Sequence, residues 1–369
     1  MSEKSVIHAG IVGAGAISGR YLDTIQKKFP VIRIDGICAS HMEHAMEKAK
    51  EFGIRACTLE EMLDDPAIRL IIVLTPVGSH YDIIRQALLS GKNVYTEKTM
   101  TDEPEKAREL VKIAEEKHLE LGCAPDTFLG AALQTARKAI DDGMIGEVTS
   151  FSAAANRCND LLLSVFPFLR RPGAGITYDY GAYYITVLVS LLGPVGRVAS
   201  VVRAPYPKHK NIFPESPEFG KEMDTPNESE VSAVLQMKSG VAGTFMLNAD
   251  SVTADQARFA VYGTEGILYL TDPNQFGGDV LLQKNSMDPF HGPALQKLTP
   301  VNSYSGESRG LGAADLAEAV LTGRAPRASM ELGMHVLDVL SAILKSGTEG
   351  KFEEVHSTCV RPEPLLNNI

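Results

Sequence analysis

The sequence predicts an α/β protein of two domains, a parallel sheet first and a more antiparallel region after it. Three observations predict this. Over roughly the first 125 residues, short apolar runs alternate with helical patterns, as parallel strands joined by crossover helices do. A glycine loop, "IVGAGAISG", comes straight off the first apolar run and opens the first helix. After Pro125 the texture changes to stretches in which apolar and polar residues alternate, as in a sheet with one wet face. A chain of 369 residues is too long for one ordinary core. The expected domains are 1–125 and 126–369.

In the first domain "VIHAGIVG" reads as a buried strand and "ISGRYLDTIQKKF" as a helix. "VIRIDGICAS" is a second strand, and "MEHAMEKAKEFG" a helix ended by Gly53. "LIIVLTP" is a strand stopped by Pro76, and "HYDIIRQALLSG" a helix ending at Gly91. "NVYTEK" is a strand and "EPEKARELVKIAEEKH" a charged amphipathic helix. In the second domain one long helix is expected over "FLGAALQTARKAIDDG", closing on Gly143. Strands are expected in "EVTSFSAAAN", "RVASVVRA", "SEVSAVLQM", "VAGTFMLNA", "RFAVYGTEGILYLT" and "DVLLQK", with "GTEG" as a hairpin turn. The proline-rich "APYPKHKNIFPESPEFGKEMDTPNE" reads as a long loop or flap, and "ELGMHVLDVLSAILKSG" as a closing helix. "ITYDYGAYYITVL" opens polar and aromatic, turns on Gly181 and runs into a buried helix.

At 44% hydrophobic and 22% charged, the composition is that of a soluble globular protein. The net charge of -10, with no long basic run, argues against nucleic acid or an anionic membrane as partner. Cys38, Cys57, Cys123, Cys158 and Cys359 are odd in number and lack CxxC spacing, so free thiols in a reducing compartment are expected. No apolar run reaches the ~20 residues that span a bilayer. The start "MSEKSVIHAGIVGAG" is glycine-punctuated and reads as strand and turn, not as a signal peptide. A cytoplasmic protein is the expectation.

Gly13, Gly15 and Ser18 form a G-x-G-x-x-S pattern. Gly13 permits the tight turn, Gly15 lets the backbone approach a pyrophosphate, and a small third residue lets helix and strand pack closely. The helix start at Ala16 and Ile17 offers N–H groups and a partial positive charge to the phosphates. A dinucleotide, NAD or NADP, is therefore expected. The acid that ends the second strand in NAD binders is absent near Ala39, where Ser40 and His41 follow. Those two are candidate contacts for a 2′-phosphate, which favours NADP. His41 and His44 share a helix face, but no third ligand lies nearby in sequence, so no metal is expected.

"LTPVGSH", "GKNVYTEKTM", "DDGMIGEV", "YDYGAYY" and "YGTEGILYL" occur in that order. Together they resemble the Gfo/Idh/MocA oxidoreductases, named for glucose–fructose oxidoreductase and inositol dehydrogenase, from Val6 to about Val355. The closing "GRAPRASMELGMHVLDVL" and "STCVRPEPL" resemble one bacterial branch. The resemblance implies an N-terminal Rossmann domain and a C-terminal α/β domain with an open, largely antiparallel sheet. It also implies an active site between them, and a homodimer or homotetramer packed through the open sheet face. The family's E-K-P maps to Glu97, Lys98 and Thr99, with threonine in place of a proline that often carries a cis bond. By that resemblance Glu97 contacts the nicotinamide-side ribose and Lys98 the reacting substrate oxygen. The family's T-P-x-x-x-H maps to Thr75, Pro76 and His80, lining the cofactor. Its D-x-G-x-H maps to Asp179, Gly181 and Tyr183, tyrosine replacing histidine.

Asp179 and Tyr183 stand four apart and would share one helix face. Asp179 is also an ordinary N-cap residue, and Tyr183 an ordinary core tyrosine; both readings stay open. The expected reaction moves a hydride between nicotinamide and a hydroxyl or carbonyl carbon of a sugar, polyol or glycoside. A proton must travel with it. A lysine cation beside a phenol favours phenolate, making Tyr183 the proton carrier with Lys98 polarising the oxygen; the reverse allocation is equally open. Asp179 would orient the substrate hydroxyl or the lysine. Asn156, Arg157, Asp160 and Tyr178 are further candidates for binding substrate. Arg170 and Arg171, before Pro172, read as a solvated loop, while "LLLSVFPFL" is either a wall over a sugar or a core plug. An NAD-dependent glycosidase using transient sugar oxidation, and a non-catalytic dinucleotide-binding regulator, are the rival functions. With neither G-x-S-x-G nor a P-loop, acyl and phosphate hydrolysis lack support.

Overall fold

A computed structural model describes residues 6–171, 173–252, 258–285, 290 and 295–369. The opening "MSEKS" and Pro172, both part of the expectations above, lie outside them. The chain divides into two compact units. The first comprises Met1–Gly130, Asn302–Leu337 and Pro362–Ile369; the second comprises Ala131–Val301 and Asp338–Arg361. Two late segments thus join the first unit, whereas the sequence reading assigned everything after 125 to the second.

The first unit begins β1 (Ile7–Val12), α1 (Ala16–Lys28), β2 (Ile32–Cys38), α2 (Met42–Phe52), β3 (Arg55–Ala56) and α3 (Leu59–Asp64). It continues with β4 (Ile68–Val73), α4 (His80–Leu89), β5 (Asn93–Thr96), α5 (Pro104–Lys117) and β6 (Leu121–Cys123). The strands form one parallel sheet in the order β3-β2-β1-β4-β5-β6. Strand order reverses between β1 and β4, the place where such sheets open a ligand crevice at their carboxyl ends. β4, "IRLIIV", is buried at five of its six positions, as a strand covered on both faces must be. The elements not expected from the sequence are mostly short ones, the 12-residue helix Leu311–Thr322 excepted. β3 and β6 hold 2 and 3 residues, too few to show a period. α3 holds 6, although Thr58 and Glu61 form a capping box at its start.

The long helix expected from Phe128 to Gly143 is broken. A 3-10 turn covers Thr127–Leu129, Gly130 is extended at φ -65°, ψ 160°, and α6 (Ala131–Asp141) starts after it. Then come β7 (Val148–Asn156), α7 (Asn159–Val165), α8 (Ala182–Leu192), β8 (Val195–Arg203), β9 (Lys208–Lys210) and β10 (Glu222–Asp224). β11 (Glu230–Met237), β12 (Ala242–Asn248), β13 (Arg258–Gly263), β14 (Gly266–Leu270), β15 (Leu281–Lys284) and β16 (Gln296–Lys297) follow. The chain closes with α9 (Leu311–Thr322), α10 (Met330–Glu349) and β17 (Glu353–Glu354).

Nine strands form the second sheet, in the order β16-β15-β14-β13-β7-β12-β11-β8-β17. All neighbours are antiparallel except β7 and β12. One face is core, with Phe151, Phe245, Phe259, Leu235 and Leu268 buried. Val201, Val234 and Met246 are exposed. "GTEG" makes the β13–β14 hairpin as expected. The proline-rich segment is not all loop: β9 and β10 pair within it.

Candidate active site

In the first unit β1 delivers the chain to Gly13 at φ 114°, a conformation that L side chains rarely adopt. The Gly13 N–H donates to the Cys38 carbonyl at 2.8 Å. A Cβ on Gly13 would lie 2.7 Å from the Leu74 carbonyl oxygen, so only glycine lets the loop pass β4. Gly15 differs. Its backbone is extended (φ -74°, ψ -174°), and a Cβ there would meet nothing within 4 Å. The open space over Gly15 is what a pyrophosphate approaching the backbone requires. No side chain caps α1, and no acid sits in its first turn, so Ala16 and Ile17 present their N–H groups unopposed by negative charge. Ser18 is fully buried and returns its hydroxyl to the Gly15 carbonyl at 2.7 Å, filling the place of the third glycine. These residues fit a dinucleotide. Ser40 and His41 are exposed just beyond β2, with no acid between Cys38 and Met42. His41 and His44 meet edge to face at 5.7 Å; among the described residues no three His, Cys, Asp or Glu side chains gather as a metal site would.

Thr75 is half-buried and Pro76 exposed after β4. His80 departs from the expected cofactor lining. It is 0% exposed, with Nδ1 2.8 Å from the Thr99 carbonyl and Nε2 2.8 Å from the Thr75 carbonyl. Both partners are acceptors, so the protonated ring makes both bonds and the neutral ring one, while burial opposes the charge and lowers the pKa. His80 therefore ties the loop after β4 to the loop carrying Lys98.

Glu97 and Lys98 follow β5. Glu97 Oε1 accepts the Tyr21 hydroxyl at 2.7 Å, and Oε2 accepts the Lys98 backbone N–H at 3.2 Å. Lys98 is half-buried, and the Lys98–Thr99 peptide is cis, the form the family's proline often takes. Tyr21, wholly buried on α1, thus fixes the carboxylate beside Lys98. No local pattern marked it; the contact spans 76 positions.

Asp126 is a second residue the sequence reading missed. It is 2% exposed, and Oδ2 accepts the N–H groups of Gly310 and Gly312 at 2.9 and 3.0 Å at the start of α9. Burial pushes its carboxyl up to about 6. Folding therefore takes up a proton between about pH 4 and 6. The stabilisation is complete below the unfolded value of about 4 and is lost as pH rises through 6, on the order of 2–3 kcal/mol. Asp126→Asn keeps an oxygen for both N–H groups and removes this loss. The Tm difference, variant minus wild type, should rise from pH 4 to pH 7; a flat difference in thermal melts refutes the assignment.

In the second unit the stretch read as a turn at Gly181 is continuous helix. Thr177–Gly181 form a π-helical turn running directly into α8, and Gly181 is helical at φ -57°, ψ -33°. Its smallness serves packing, since a Cβ there would lie 3.0 Å from Leu340. Asp179 is consequently not an N-cap: its own N–H donates to the Gly175 carbonyl at 2.9 Å. Glu228 takes the capping role, Oε1 accepting the Thr177 N–H at 3.0 Å. Tyr178, Asp179 and Tyr183 are half-buried.

Arg157 departs from the expected substrate contact. It is 7% exposed, its guanidinium lies 3.5 Å from the centre of the Tyr180 ring, and Nη2 bonds Asp272 at 3.0 Å. The Tyr180 hydroxyl donates to the same carboxylate at 2.6 Å. This triad, with Arg157 and Tyr180 buried and Asp272 half-buried, ties the turn to the segment after β14. Asn156 is half-buried at the end of β7, and Asp160 accepts from Lys210 N and lies 3.0 Å from His209 Nδ1. Arg170 pairs with Glu218. In "LLLSVFPFL", Leu163 and Leu169 are buried whereas Phe166 and Phe168 are exposed.

Residues 7–124 match the GFO/IDH/MocA oxidoreductase family, NAD-binding Rossmann fold, and residues 133–269 match the GFO/IDH/MocA C-terminal domain. The chain belongs to this family. Within the GFO/IDH/MocA frame, Lys98 falls in the Rossmann match, and Asp179 and Tyr183 in the C-terminal match. An uncharacterized oxidoreductase of Schizosaccharomyces pombe is 32% identical over 135 residues, 37% of each chain. The scyllo-inositol 2-dehydrogenase (NADP(+)) of Bacillus subtilis is 27% identical over 198 residues, 54% of this chain and 55% of its own. The chain spans 37 to 41% of the length of the oxidoreductases it matches above 30% identity. Levoglucosan dehydrogenase in complex with NADH and L-sorbose shares the fold, with a TM-score of 0.81 at 20% identity over 95% of this chain and 99% of that one.

Proposed function

We propose that this chain is an NAD(P)-dependent dehydrogenase or reductase that transfers a hydride between nicotinamide and a hydroxyl or carbonyl carbon of a sugar or polyol. The observation that carries it is the Glu97–Lys98 pair at the carboxyl end of β5, its carboxylate fixed by Tyr21. A nicotinamide, when bound, supplies the hydride donor or acceptor. Gly13, Gly15, Ala16 and Ile17 hold the pyrophosphate, Glu97 a ribose, and Thr75 and Pro76 the nicotinamide side. Ser40 and His41, in place of an acid, favour NADP. Lys98 holds the reacting oxygen, Asp179 orients it, and Tyr183 or Lys98 moves the proton; Tyr178 and Asn156 contact the remaining hydroxyls. The relatives named for scyllo-inositol and levoglucosan support the substrate class.

Tyrosine at the family's histidine position marks the branch. Five free cysteines suit a cytoplasmic protein. The exposed Val201, Val234 and Met246 suit burial in a homodimer or homotetramer. No helix among the described residues is long and apolar enough to cross a membrane.

The test is binding of NAD, NADH, NADP and NADPH to the purified protein, followed by a sugar and polyol screen with the preferred cofactor. Tighter binding of NADP(H) is expected. Binding of none of the four sinks the reading, and glycosidic cleavage without net cofactor turnover replaces it with the transient-oxidation glycosidase.

A further inference from the structure

The proline-rich segment leaves the second sheet after β8, and β9 and β10 pair within it to form an arm that lies against α7. Lys208, Lys210, Glu222 and Asp224 turn outward on this arm and are exposed. His209 and its cross-strand partner Met223 turn inward and are buried, Met223 packing with Leu163 and Leu169. The His209 ring stands between two carboxylates. Nδ1 lies 3.0 Å from Asp160 on α7, and Nε2 lies 3.8 Å from Asp250, just after β12. The His209 and Asp250 side chains are each 6% exposed, and Asp160 is half-buried. Cys158, at the same corner, meets Asp250 through the backbone.

One half of this arrangement is made and the other is open. Asp160 also accepts the Lys210 N–H at 3.3 Å, and the Ser164 hydroxyl accepts the Ile212 N–H at 3.0 Å, so α7 and β9 are already joined. On the far side Asp250 Oδ2 accepts the Ser229 hydroxyl at 2.5 Å. Asp250 Oδ1 and His209 Nε2 are both buried and have no hydrogen-bond partner among the described residues. The 3.8 Å between them is too long for a hydrogen bond. A neutral imidazole has one donor; spent on Asp160, it leaves a lone pair facing a buried carboxylate oxygen. An imidazolium has two donors and satisfies both carboxylates. A buried charged group left without a partner is costly, so one proton on His209 removes two defects at once.

We propose that His209 is a proton-operated latch on this arm: protonated, it clamps the arm to α7 and to the end of β12 together; neutral, it holds α7 alone. The clamp is complete at the acid end of the range in which histidine titrates and is lost as pH rises through it. The arm runs on from β10 to Glu228, which accepts the Thr177 N–H in the turn that carries Asp179. Ser229, the next residue, is the one that holds Asp250. The second carboxylate of the latch is thus anchored one residue from the group that caps the Asp179 turn. The latch stands whether or not the chain is a dehydrogenase.

Hydrogen–deuterium exchange of the full chain tests it, with rates converted to protection factors so that the intrinsic effect of pH is removed. The amides of β9 and β10 should be protected at least about tenfold more at about pH 5.5 than at about pH 8, the low end of what a hydrogen bond to a charged group contributes. The amides of β4, in the other unit, serve as the reference and should show no such change. His209→Gln cannot take up a proton and should give equal arm protection at both pH values. Asp250→Asn keeps an oxygen for the Ser229 hydroxyl, removes the charge that the proton answers, and should flatten the response as well. Equal protection of the wild-type arm at both pH values overturns the latch, and so does either variant keeping the wild-type response. If His209→Gln fails to fold, Asp250→Asn decides alone.

Discussion

Lys98→Met is expected to lower kcat by about a thousandfold while leaving the dinucleotide affinity within a fewfold of wild type. Methionine approximates the apolar stem of lysine but removes the charge and the proton. Acid–base groups contribute about 10²–10⁴ in rate, and a thousandfold loss is about 4 kcal/mol of transition-state stabilisation. The Glu97 carboxylate keeps its bonds to the Tyr21 hydroxyl and to the backbone N–H at position 98, so the cofactor side should stay assembled. Steady-state kinetics and a cofactor titration check it. A kcat within tenfold of wild type removes Lys98 from the chemistry. Tyr183→Phe divides the proton path: near-normal turnover leaves Lys98 as the carrier, and a loss comparable to that of Lys98→Met makes the phenol the carrier.

Gly13→Ala should abolish dinucleotide binding and lower Tm by several degrees, whereas Gly15→Ala should weaken binding at least about tenfold with Tm nearly unchanged. The contrast follows from geometry. At Gly13 a side chain meets φ 114° and a backbone carbonyl at 2.7 Å, and neither can give way without moving β4. Strained conformations of this kind cost on the order of 1–3 kcal/mol before the clash is counted. At Gly15 the backbone is ordinary and the space is open, so only a ligand pressed against the loop notices a methyl group. Equal effects of the two substitutions on Tm, or unchanged binding by Gly15→Ala, would remove the phosphate cradle.

The parallel sheet and its glycine loop were legible because their signals are local: apolar runs, a helix start and two glycines lie within a few residues of one another. The antiparallel sheet was legible from alternation. The broken helix at Gly130 was not, because a glycine in an apolar helical pattern gives no sign of whether it stays helical; Gly181 shows the opposite outcome, read as a turn and found inside a helix. Lys98 and Asp179 were picked out by the resemblance to the family's E-K-P and D-x-G-x-H motifs. The residues that hold such groups in place were not, because Tyr21 to Glu97, Asp126 to Gly310 and Glu228 to Thr177 are contacts between distant positions. His80 was expected at the cofactor by the family's T-P-x-x-x-H and Arg157 at the substrate as a polar side chain near Asp179 in sequence, yet both make hydrogen bonds inside the protein.

The split make-up of the first unit has a consequence for synthesis on the ribosome. Its sheet leaves the exit tunnel early, but the segments that finish it, Asn302–Leu337 and Pro362–Ile369, emerge long after it. Until then Asp126 lacks the N–H groups of Gly310 and Gly312, and β6 lacks its bridge from Gly122 to Ser329. At about 5–20 residues per second, the wait for the start of α9 is roughly 10–40 s. The nascent chain therefore carries an unfinished nucleotide fold with an unbridged strand edge until α9 emerges, and a stop codon anywhere before α9 would strand it in that state.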